Sequence, residues 1–260
     1  MACLVFVAGF FLSLPILGGN VDPALLKASG SYYYLRLFKV GVDSPRATTV
    51  AALLSGLFSV LCLGYILRSF RKTVSSEIFF FAFWALSIGL EALRPFVFCL
   101  AAQGAPASLI LIATRLVLAG RATGLLAFFC ASLYAVGFHN EKLGSAAAAI
   151  LMLGCAVAVV IPLNTGVYET SLMVRPGFRG YLSLLAVIAG LAILADFIYA
   201  SFSSGEAPYR IVALGSGAAL LGQALIVTQW QPFTLLLGLG LLGIGSWLII
   251  SRLHAYYLWQ

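Results

Sequence analysis

Ile78–Ala101 reads IFFFAFWALSIGLEALRPFVFCLA, 24 residues that are apolar except for Ser87, Glu91 and Arg94. At about 1.5 Å of rise per residue, a helix of that length crosses the roughly 30 Å hydrocarbon core of a bilayer. An ionisable side chain at such depth is costly unless paired or wetted. This one stretch therefore predicts a membrane-spanning helix and polar partners inside the membrane. Glu91 and Arg94 are i, i+3 on one helical face and can pair locally. Pro95 removes a backbone donor beside them and predicts a kink that frees a carbonyl.

Outward from this run the same texture repeats. Thr49 to Leu67, Ser108 to Val136, Ala146 to Leu163, Tyr181 to Phe202, Ile211 to Gln229 and Phe233 to Ile250 are each apolar and long enough to span. The breaks carry turn chemistry, as in Gln103-Gly104-Ala105-Pro106, Arg175-Pro176-Gly177 and Gln231-Pro232. A composition of 62% hydrophobic and 9% charged residues, with a mean hydropathy of +1.07, is far from that of soluble domains. The predicted fold class is all-α, a polytopic transmembrane bundle of seven spans preceded by one N-terminal apolar helix, eight in total. Residues 1–18 form that first segment, read as a retained helix rather than a signal peptide because no Lys or Arg precedes it. Residues 19–48 mix Lys27, Arg36, Lys39 and Arg46 with Tyr32, Tyr33 and Tyr34 and read as interfacial; residues 49–260 form the seven-helix membrane domain.

The net charge of +7 would suggest nucleic acid in a soluble chain, but here the basic residues lie mostly at the ends of apolar runs, which indicates topology and lipid headgroups. Arg68, Arg71 and Lys72 face a single Glu77 in the first loop of the seven-span unit, which places that loop and the C-terminus in the cytoplasm. The basic residues of the 19–48 segment run against this orientation; its Asp22 and Asp43, and the other connections, keep it in place. A bacterial cytoplasmic membrane is the expected location.

Five buried charges, Glu91, Arg94, Arg115, Arg121 and Asp196, form the candidate ligand site or charge network. Helix depth pairs Arg115 with Glu91 and Arg94, and Arg121 with Asp196. The two acids and three bases leave one cation over, which suits an anionic small molecule gripped by guanidinium. The bland alternative is that the pairs only fix helix register. Gly120 and Gly124 bracket Arg121 in a GxxxG step that admits a close backbone, and Gly238 and Gly245 on the last helix read as packing residues.

Catalytic constellations are lacking. Every Lys, at 27, 39, 72 and 142, lies in a connection, which removes a retinal Schiff base. Two histidines, His139 and His254, cannot supply a haem, diiron or metalloprotease site, and the five cysteines have no CxxC. No metal and no cofactor is expected, and an enzyme is the least supported class.

The helix count and orientation over Thr49 to Ile250, with the texture of Ser76-Glu77-Ile78-Phe79-Phe80-Phe81-Ala82-Phe83-Trp84 through Glu91, resemble the seven-helix membrane sensor regions that precede histidine-kinase domains in bacterial signalling proteins. With no output domain after the last helix, the resemblance implies signalling through a membrane or cytoplasmic protein partner. Two functions follow as expectations: a non-enzymatic sensor-like or assembly subunit that binds a ligand or membrane partner, or a small solute or ion transporter using the buried charges.

Overall fold

The computed structural model describes residues 1–18, 45–70, 75–137, 143–168, 171–203, 207–228 and 232–258. Among them are seven helices long and apolar enough to cross a membrane, together with a shorter apolar helix at the N-terminus. The protein is an integral membrane helical bundle. In chain order the elements are α1 (Ala2–Leu17), α2 (Pro45–Ser69), α3 (Ser76–Gly89), a 3-10 turn (Leu90–Leu93), α4 (Arg94–Ala102), α5 (Ala107–Ala135), α6 (Leu143–Val160), β1 (Leu163–Tyr168), β2 (Val174–Pro176), α7 (Arg179–Ser203), α8 (Ala207–Thr228) and α9 (Pro232–Leu258). The 3-10 turn and α4 continue α3, so the three together make one span.

Pro95 explains that interruption. Its ring would meet the carbonyl of the residue four positions back, Glu91, and the chain tightens by one 3-10 turn before the helix resumes. The Arg94 N–H then donates to the Glu91 carbonyl in place of a regular α-helical acceptor.

The α3–α4 span and α5 are the middle of the bundle: 61% and 56% of their most apolar windows are buried, against 17% in α6 and 11% in α7. Lipid accepts apolar side chains as readily as a core does, so packing rather than hydropathy singles out α3, whose Phe80, Phe81, Trp84 and Ile88 are all buried. Trp84 lies 4.7 Å from Phe128 and 5.0 Å from Phe81, and Phe128 reaches Phe197 of α7 at 6.3 Å, so an aromatic column ties three helices together. α1 packs on the 3-10 turn, where a methyl on Gly9 would stand 2.5 Å from the Ala92 carbonyl.

Two boundaries differ from the sequence expectation. The final helix runs to Leu258 instead of Ile250, because Leu253 is buried, His254 packs edge-on to Phe70 at 5.3 Å and Tyr256 meets Tyr209 at 5.6 Å. The span expected over Ala146 to Leu163 ends at Val160, and the connection to α7 contains a small antiparallel hairpin, pairing Leu163 with Pro176, Asn164 with Arg175 and Tyr168 with Val174. Leu172, Met173 and Val174 are buried against the bundle, which gives this connection a packing reason to order. Of the interfacial segment, residues 19–44 lie outside the described residues, and α2 already begins at Pro45.

Candidate functional site

The tightened turn at Glu91 sets up the site. In an antiparallel pair the Cα–Cβ bonds of each helix lean toward that helix's own N-terminus, so Glu91 and a residue slightly deeper on α5 lean toward each other. Arg121 is that residue. Its Nε donates to Glu91 Oε1 at 2.6 Å and its Nη2 to Oε2 at 3.0 Å, a two-point guanidinium–carboxylate grip. Arg94 Nε also lies 2.6 Å from Glu91 Oε2. Glu91 thus sits between two guanidiniums, with side-chain exposures of 0% for Arg94, 5% for Glu91 and 26% for Arg121.

This arrangement corrects the pairing expected from depth alone. Arg121 belongs to Glu91, and Asp196 on α7 instead accepts a hydrogen bond from Ser132 Oγ at 2.7 Å. That hydroxyl is also 2.7 Å from the Phe129 carbonyl, so its single proton is shared between two acceptors. Asp196 is half-buried. Arg115 is not brought to Glu91 either. It lies on the i, i+4, i+8 stripe of α5 with Ala119 and Thr123, which faces α6 through Ala158 and Gly154. Its Nε is buried and has no hydrogen-bond partner among the described residues.

The glycines bracketing Arg121 let α3 approach. A methyl on Gly120 would come within 2.6 Å of Leu90 Cδ1, and one on Gly124 would overlap Ser87 Oγ. Gly238 and Gly245 meet backbone of α8, with the Gly222 carbonyl 3.0 Å and the Gly215 carbonyl 2.5 Å from a methyl built on each.

Three further features gave no local sequence signal, because each joins residues far apart in the chain. Trp84 Nε1 donates to Gln223 Oε1 at 2.9 Å, which fixes the orientation of that amide on α8. Tyr209 Oη donates to buried Glu77 Oε1 at 3.0 Å. Between these helices a crevice with room for about one water molecule is lined by Ser55, Ile88, Glu91, Gln223, Ile226, Val227 and Leu242. Glu91 therefore meets two guanidiniums and also lines a small, mostly apolar crevice.

Among the described residues no group of three or more His, Cys, Asp or Glu side chains could hold a metal ion. The chemistry available at the triad is recognition by charge and hydrogen bonding. No protein-family model matches the chain and no curated protein sequence matches it.

Proposed function

We propose that this protein is a non-enzymatic, sensor-like subunit of a bacterial cytoplasmic-membrane complex, binding a ligand inside its bundle and passing the bound state to a membrane or cytoplasmic partner. The observation that carries the reading is the Arg94–Glu91–Arg121 triad. Two guanidiniums, one of them on a fully enclosed side chain, converge on one carboxylate between helices. A device needed only to hold register requires one such partner, and each further ionised side chain brought into a low-dielectric interior costs free energy that helix packing must offset. A cluster of this kind suits recognition of a charged ligand.

Transmission has a route in the same helix. The α3–α4 span is bonded to α8 through Glu77 and Trp84 and to α5 through Glu91, so a change at the triad bears on a helix that is held at three levels. The reading is tested by purification in mild detergent after cross-linking in cells. A stoichiometric membrane or cytoplasmic protein should be recovered with the chain; repeated recovery of the chain alone would overturn it.

One observation favours a transporter as the second reading. α8 and α9 are zipped along Gly215, Gly222, Gly238 and Gly245, and the crevice at Glu91 lies where this hairpin meets α2 and α3. A hairpin moving as a body would open that crevice. Solute or ion flux in proteoliposomes would support this reading, and a flat response over a broad panel would remove it.

A further inference from the structure

α7 is the least enclosed span of the bundle, with 11% of its most apolar window buried, and yet it carries a carboxylate. Asp196 lies about 10 Å of helical rise from the Ser203 end of α7, within the depth that hydrocarbon occupies. An ionised carboxylate at that depth is expensive unless it is paired. Its Oδ2 shares a single proton, that of Ser132 Oγ at 2.7 Å, with the Phe129 carbonyl. Among the described residues its Oδ1 accepts no hydrogen bond, and no Lys or Arg forms an ion pair with it. Glu91, by contrast, has two guanidiniums.

Asp196 occupies an open flank of α7. Gly190 and Leu194 turn toward α8, where a methyl on Gly190 would stand 3.8 Å from Leu220 and one on Gly217 would stand 3.3 Å from Leu194. Phe197 turns toward Phe128 of α5 at 6.3 Å. At about 100° per residue, Asp196 comes one step further round, past the α5 contact and away from α8. Tyr199, one turn on from it, is 59% exposed.

α5 forms the floor of the same opening. Ser132 meets Asp196 of α7, and Thr123 meets Gly154 of α6; nine positions separate the two residues, which places them on opposite sides of α5. One arc between them carries Gly120, Gly124 and Phe128 and packs on the α3–α4 span. The other carries Ala122, Leu125 and Phe129, which are half-buried. The helices bordering that second arc, α6 and α7, both pack on α5 and have almost no contact with each other. They leave a groove that opens sideways to the membrane, with Asp196 on its α7 wall. Acyl chains can fill such a groove, but they offer nothing to a carboxylate.

We propose that this groove receives a transmembrane helix of a partner protein, and that a Lys or Arg on that helix pairs with Asp196. The inference rests on the subunit reading above and names the kind of partner and its docking surface. The partner must span the membrane, because the carboxylate lies deeper than a soluble protein reaches. Its charge follows from complementarity with a carboxylate that no cation of this chain accompanies. A second copy docked symmetrically through α7 is the wrong occupant, since a two-fold axis there would set Asp196 against Asp196. The docked helix would lie on α5, the helix whose Arg121 grips Glu91, so partner and buried charges would act on one element.

The test is photo-crosslinking of the full chain in the membranes of its native host. Photoreactive p-benzoylphenylalanine replaces Tyr199 or, as a control, Leu236, which is 69% exposed on α9. Illumination at position 199 should give one protein adduct whose cross-linked peptide lies in a transmembrane helix with a Lys or Arg within about one turn of the attachment point, and position 236 should not give it. Asp196→Asn should lower the adduct several-fold and Asp196→Glu should retain it. Neutralising the partner's basic residue should lower it as much, with no further loss when combined with Asp196→Asn. Lipid adducts alone at position 199, a second copy of this chain, or a helix with no basic residue at that depth overturns the proposal on the wild-type background, even where Asp196→Asn fails to accumulate. An undiminished adduct in folded Asp196→Asn also overturns it. A protein partner recovered by general cross-linking while position 199 gives only lipid would sink this surface and leave the sensor reading standing; no protein partner by either route would sink both.

Discussion

Glu91 contributes more than any other single side chain to holding the buried charges. Glu91→Gln would leave Arg94 and Arg121 with a neutral neighbour in a water-poor interior, and loss of one partner of a buried ion pair costs about 3–5 kcal/mol. Arg121→Gln should cost less, because Arg94 still accompanies the carboxylate and Arg121 is partly exposed. Unfolding measured in detergent on both single variants and the double variant should give a coupling of about 0.5–3 kcal/mol between Glu91 and Arg121; additive losses would mean the grip contributes nothing. Asp196→Asn should cost about 1 kcal/mol or less, since its recorded partner is a neutral hydroxyl and polar contacts between membrane helices average below that. A loss from Asp196→Asn as large as that from Glu91→Gln would contradict this placement. The charges themselves were legible as anomalies in apolar runs. Their partners were not, because depth counted at a uniform rise ignores both the tilt of Cβ toward each helix N-terminus and the 3-10 turn ahead of Pro95. Those two effects bring Arg121 to Glu91.

Between elements, glycine spacing decides what can touch, and the nine glycines on α8, α9 and α5 are not equivalent. A methyl on Gly222 would lie 2.5 Å from Leu242 N and 2.6 Å from the Gly238 carbonyl, both backbone atoms that cannot turn aside. One on Gly240 would meet nothing within 4 Å. Gly222→Ala should therefore destabilise by about 1–3 kcal/mol through overpacking, whereas Gly240→Ala should stay within about 0.5 kcal/mol of wild type. Tm measured side by side checks the contrast, and equal Tm values would show that α8 and α9 separate easily. The spans themselves were legible from length and hydropathy because lipid demands about 20 apolar residues wherever a helix crosses. Which glycines pack was less so: Gly238, Gly240, Gly243 and Gly245 look alike in the sequence, and only the direction in which α9 presents each to α8 separates them. The β1–β2 hairpin went unseen for a similar reason, as its order comes from Leu172, Met173 and Val174 docking on helices distant in the chain.

Across the whole molecule, burial and charge divide in different directions. Burial runs sideways, from the enclosed α3–α4 span and α5 to α7, whose Leu184, Leu185, Val187, Ile188 and Leu191 are exposed for lipid to cover. Charge is read along the membrane normal. In the sequence Arg68, Arg71 and Lys72 cluster in the one short connection between α2 and α3, whereas the basic residues before α2 are mixed with Asp22 and Asp43. Flanking Lys and Arg within a few residues of a span favour the cytoplasm, so this cluster predicts a cytoplasmic Glu77 end and an external Gln103 end. Three spans, α5, α6 and α7, separate Gln103 from Ser203, and an odd number of crossings must put these two exposed residues on opposite faces. In a background with the five native cysteines replaced, Gln103→Cys should react with a membrane-impermeant maleimide in intact cells, and Ser203→Cys only after permeabilisation. The reverse pattern would keep the bundle and invert it, moving the α8–α9 ends and any cytoplasmic partner to the outside. Labelling of both from one side would mean that one of the three helices does not cross, and the buried placement of Glu91 against Arg121 would then lose its membrane context.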